Sequence, residues 1–161
     1  MDAALAQLSF GDAVLAFPLA VALHVLEEWP RFPVWARRFA SPRYSDRAYV
    51  VTHIFAVALA AAAAALVRSF AEHWVVFAFF ALVFGPGVFC NAFFHLGASV
   101  ATRSYCAGAV TGLLVYLPLS LLLASLAARE GLIGGPALAA ALLVAVAFPT
   151  LEVGHNVFER W

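Results

Sequence analysis

Of the 161 residues, 65% are hydrophobic and 11% charged, with a mean hydropathy of +0.96; soluble domains average about 45–50% apolar and about 25% charged residues, so this is an integral membrane protein by composition. The nine basic residues, all Arg, balance nine acidic ones and form no long basic stripe, which excludes nucleic acid as a partner. The cysteines, Cys90 and Cys106, lie in apolar stretches without CxxC spacing, as small buried hydrophobes do, which excludes a redox pair and a zinc knuckle.

A membrane span needs about 20 mostly apolar residues, and five segments qualify: 11–29, 49–68, 74–98, 106–128 and 136–158. The expected fold is therefore all-α, a polytopic five-transmembrane-helix bundle forming one membrane domain over 1–161. The opening MDAALAQLSFGD is acidic and lacks the positive region of a cleavable signal peptide, so the first span is expected to be retained. That span carries His24, Glu27 and Glu28. Residues three and four apart share a helix face, and ionisable groups at membrane depth are costly enough to imply function.

The connection that follows, WPRFPVWARRFASPRYSDR, holds Arg31, Arg37, Arg38, Arg43 and Arg47 and reads as an interfacial amphipathic loop. By the positive-inside rule it is cytoplasmic, with the N-terminus outside and the C-terminus inside. The lack of Lys beside abundant Ala suggests a bacterial inner membrane. His53 lies one turn into the second span, and the run Ala60 to Ala65 offers a smooth face for close helix approach. Glu72 and His73 fall in an outer, solvated loop. The third span holds Gly85-Pro86-Gly87 and then Asn91 and His95; the fifth holds Pro149 and then Glu152 and His155. Both breaks can bend a helix beside a site. Four spans thus deliver polar groups to one level near the cytoplasmic side, where independent accidents would scatter across both leaflets.

These clusters have metal-ligand spacing: His24 and Glu27 at i, i+3, Asn91 and His95 at i, i+4, and Glu152 and His155 as the Glu-x-x-His pair of di-metal carboxylate bundles. The candidate ligands are His24, Glu27, Glu28, His53, Asn91, His95, Glu152 and His155, enough for one or two divalent ions. Mixed carboxylate and imidazole donors suit zinc, iron or manganese. Glu28 is the candidate general base and Asn91 a candidate catalytic polarising group. The expected function is a metal-dependent membrane enzyme, hydrolytic or di-iron oxidative, acting on a lipid-soluble or amphipathic small molecule near the cytoplasmic leaflet. Alternatives are a metal-free glutamate-base hydrolase or isomerase, a proton-coupled carrier or metal transporter, and a purely structural subunit. The oligomeric state is left open.

With these residues in place, the chain resembles the family of integral membrane proteins named for an HXXEE motif. The resemblance rests on His24-x-x-Glu27-Glu28, Asn91-x-x-x-His95 and Tyr105-Cys-Ala-Gly108-Ala-Val-Thr111, in order over nearly the whole chain. Ala107 stands where that family often has proline. The resemblance implies the membrane fold and the choice of motif residues, and no reaction. A fainter likeness, to the CAAX prenyl proteases, rests on Glu27-Glu28, Asn91 and His95; Arg31 lies one residue too near for their EExxxR motif.

Overall fold

A computed structural model describes residues 7–158, with side chains to residue 147. Six helices frame it: α1 (Phe10–Glu28), α2 (Arg31–Phe39), α3 (Asp46–Ser69), α4 (His73–Thr102), α5 (Ala109–Arg129) and α6 (Gly135–Phe158). No strand occurs among the described residues. Four of these helices, α1, α3, α4 and α5, are long and apolar enough to cross a membrane. The apolar part of α6 described with side chains, Gly135–Ala147, is shorter.

Helix ends follow local chemistry. Ser45 caps α3 by accepting the Ala48 N–H at 3.0 Å, with Asp46 in the first turn and Arg68 in the last, which complements the helix dipole. The connection expected as a loop after α1 contains helix α2, whose Pro33, Trp35 and Ala36 are buried and whose Arg38 is exposed. This is amphipathic spacing over only nine residues, and the prolines at 30 and 33 obscure it because both fall in the helix's opening turn, where a missing N–H costs nothing.

α4 is widened into i→i+5 turns over Phe79–Cys90, around Pro86. Proline cannot donate to the carbonyl one turn back, and a wider turn accommodates that loss without breaking the helix. Within this stretch Gly85 permits a close contact with α6: a Cβ there would lie 2.5 Å from Ala145 Cβ and 2.3 Å from the Phe80 carbonyl oxygen. Small residues at such a contact let two helix backbones approach closely. Phe10, Phe17, Phe79, Phe80 and Phe84 fill the far half of the bundle with edge-on and tilted ring contacts at 5.3–6.4 Å. The apolar half anchors the helices, and the end of α1, the start of α3, the end of α4 and the start of α5 meet at the other.

Candidate metal centre

Glu28, the last residue of α1, is the hub of that meeting. It is 1% exposed. Its Oε1 lies 3.1 Å from His95 Nε2 and 3.6 Å from His24 Nε2, one turn back on the same face. Its Oε2 lies 2.9 Å from His53 Nε2 and accepts the Tyr49 hydroxyl at 3.0 Å. All three imidazoles therefore turn the same nitrogen toward one carboxylate.

Their other nitrogens are tied from outside. His53 Nδ1 stands 2.7 Å from the Tyr49 carbonyl; a carbonyl only accepts, so this nitrogen carries the proton. His24 Nδ1 stands 2.7 Å from Thr111 Oγ1, whose hydroxyl proton is given to Glu27, so here too Nδ1–H is the donor. His95 Nδ1 meets Cys106 Sγ at 3.3 Å. Neutral His24 and His53 thus aim Nε2 lone pairs at a carboxylate, an arrangement of acceptor against acceptor. Either a proton or a metal cation must sit between them. His24 Nε2 is buried without a hydrogen-bond partner among the described residues.

The donor spacing fits a metal. Ligands at 2.0–2.2 Å in a tetrahedral site stand about 3.3–3.6 Å from each other, and donor atoms of His24, Glu28 and His95 all lie within 4.8 Å of one another, with two of the three separations at 3.1 and 3.6 Å. Two imidazoles and one carboxylate with an open fourth position form the ligand set of catalytic zinc hydrolases. The Tyr49 hydroxyl holds the second carboxylate oxygen, and His53 does so through Nε2–H when it carries a second proton, as orienting partners of a ligating carboxylate do.

The walls are close. Tyr116 stacks on His24 at 4.5 Å, and Phe32 of α2 packs edge-on against His95 at 5.4 Å. Gly108, at φ +107°, closes the remaining side: a Cβ there would lie 2.7 Å from carbons of both His24 and His95. Beside it, burial and the charges of Glu28 and Glu27 push the Cys106 thiol up to about 12, so it is a neutral partner for His95. Burial and the hydrogen bond to Glu27 push Tyr105 up to about 12 as well.

Glu27 is not in the group. Named as a candidate ligand from its spacing, it has a carboxylate that accepts the N–H groups of Gly108, Val110 and Thr111 at 2.8, 3.1 and 2.6 Å, together with the hydroxyls of Tyr105 and Thr111. These amides open α5 and have no carbonyl one turn back, so a carboxylate is their natural partner. Asn91 is not joined to the group either; its Oδ1 is buried with no partner among the described residues. Glu152 and His155 lie outside the residues whose side chains are described.

The family model for proteins of unknown function with an HXXEE motif matches residues 15–123. The chain belongs to the HXXEE family. No curated protein and no solved structure matches it. In this HXXEE protein the two glutamates of the motif divide their work: Glu27 caps α5 and, through Thr111, fixes the proton of His24, while Glu28 gathers the three imidazoles. Tyr49, Cys106, Gly108 and Thr111 carry parts of the site that ligand spacing alone does not reveal. Gly108 and Thr111 do fall in the third motif of the family resemblance, and a hydroxyl opening an apolar span is the trace Thr111 leaves.

Proposed function

We propose that this protein is a membrane-embedded, metal-dependent enzyme, hydrolytic in type, whose ion is held by His24 Nε2, Glu28 Oε1 and His95 Nε2. The observation that carries this reading is the convergence of three Nε2 atoms on one buried carboxylate, with the Nδ1 atoms of His24 and His53 holding their protons outward. Zinc, iron or manganese suits these donors. A bound ion supplies a water of lowered pKa and a Lewis acid for a carbonyl or phosphoryl oxygen. Glu28 then acts as ligand, and His53 as the group that moves protons: its side chain is 19% exposed, against 1–3% for His24, Glu28 and His95. In this reading the bundle has five spans with α6 as the last, in a bacterial inner membrane. The arginines between Arg31 and Arg47 support a site near the cytoplasmic leaflet.

A second reading, a proton path for a carrier, is favoured by one observation. Glu27, Thr111, His24, Glu28 and His53 form a series of neighbouring polar groups from the start of α5 to α3, its widest step the 3.6 Å between His24 and Glu28, and such chains mark pumps too.

Detergent-purified protein is expected to retain about one ion per chain by elemental analysis, and an ion in hundredfold excess over its Kd to stabilise the fold by about 2.7 kcal/mol. Glu28→Gln is expected to lose both effects. Folded protein with no ion and no ion-dependent stabilisation overturns the metal reading and leaves the proton path.

A further inference from the structure

A groove of about 450 Å³ opens between α1 and α3. Its sides are Leu26 and Trp29 on one helix and Val50, Ile54 and Val57 on the other, and its floor is His53 with Tyr49. Among the described residues that line it, none is an Asp, Glu or Arg. Both helices are membrane-spanning in length and composition, and Leu26 and Ile54 are 72% and 67% exposed, so the groove faces hydrocarbon. One end is walled by aromatic rings in series, Trp29 on Tyr49 at 5.5 Å and Tyr49 on His53 at 3.8 Å. The Tyr49 hydroxyl and His53 Nε2 both bond Glu28. The groove is thus an apolar slot whose one polar spot is the doorstep of the buried centre.

From these features we infer that the substrate is an amphiphile drawn sideways from the bilayer, with its hydrolysable linkage at His53 and one hydrocarbon chain along Ile54 and Val57. This rests on the enzyme reading above and adds its substrate class. Depth agrees: His53 lies seven residues into α3, about 10 Å of helix rise, the level at which a linkage lies when its head group stays at the interface beside Trp29 and α2. Volume agrees too, since about 450 Å³ equals roughly fifteen water-sized groups. That seats one hydrocarbon chain, and any second chain would stay in the hydrocarbon outside the groove.

The test uses full-length protein in vesicles with a monoacyl glycerophospholipid that carries a diazirine in its chain, followed by peptide mapping. Label is expected on Leu26, Ile54 and Val57, displaced by unlabelled single-chain ester. Ile54→Trp fills the slot from an exposed position and is expected to cut labelling at least tenfold with ion content unchanged; Leu26→Trp provides the same test from the opposite wall. Label spread evenly over lipid-facing residues, or unaffected by both tryptophans, overturns the inference. Ion content measured on the same samples separates that failure from failure of the metal reading.

Discussion

Gly108→Ala strikes the centre without touching a ligand. The new methyl would stand 2.7 Å from His24 Cε1, His95 Cε1 and His95 Nδ1, where ordinary contact begins at 3.4 Å. Both rings would have to retreat by several tenths of an ångström, and they are hemmed in by Tyr116, Phe32 and their own Nδ1 partners. Metal–ligand distances tolerate only about ±0.2 Å, and disturbing groups around a site typically costs about 10–100-fold in affinity. Alanine at φ +107° adds backbone strain of roughly 1–3 kcal/mol. The expected outcome is a folded protein of lower Tm whose zinc affinity falls at least about tenfold, read by competition with a chromogenic chelator and by thermal scanning with and without zinc. Gly97→Ala is the control, because a Cβ there meets nothing within 4 Å. Unchanged zinc affinity in Gly108→Ala would refute the claim that the ring positions define an ion site.

Glu27→Gln is expected to keep the ion at about 10–100-fold weaker affinity and to lower stability by roughly 1.5–3 kcal/mol, since an amide can replace only part of the carboxylate's five contacts; a total loss of metal would return Glu27 to the ligand set. Cys106, with its thiol pushed up to about 12, is expected to resist alkylation at pH 8 in folded protein and to react after denaturation, by mass spectrometry. The sign of its effect on stability follows. Between its ordinary value near 9 and about 12 the unfolded chain has released a proton that the folded chain keeps, so stability in detergent falls as pH rises through that window, and Cys106→Ser flattens the fall.

Much of this arrangement was legible in the chain. The apolar segments anticipated α1, α3, α4, α5 and α6 to within a few residues at each end, because burial in lipid forces long uninterrupted runs. The meeting of His24, Glu28, His53 and His95 was legible from their shared depth. The division between Glu27 and Glu28 was not, since positions i+3 and i+4 from His24 are equivalent by periodicity, and only the placement of the Gly108–Thr111 amides separates them. Helix α2 was hidden by its prolines. Cys106 was hidden by its apolar neighbours, which describe its burial and say nothing of the imidazole beside it.

The Glu27 cap also imposes an order on biogenesis. The carboxylate and the Thr111 amide it holds are 84 residues apart, and at a synthesis rate of about 5–20 residues per second the first span waits roughly 4–17 s for its partner to emerge. Throughout that wait Glu27 has no amides to receive it, and His24 has no hydroxyl to hold its ring. Arrival of the fourth apolar helix satisfies both at once. A ribosome that stalls before Gly108 therefore leaves a chain that holds every imidazole of the centre yet lacks the Thr111 tie that orients His24, so the last step in ordering the site is tied to a late stretch of the message.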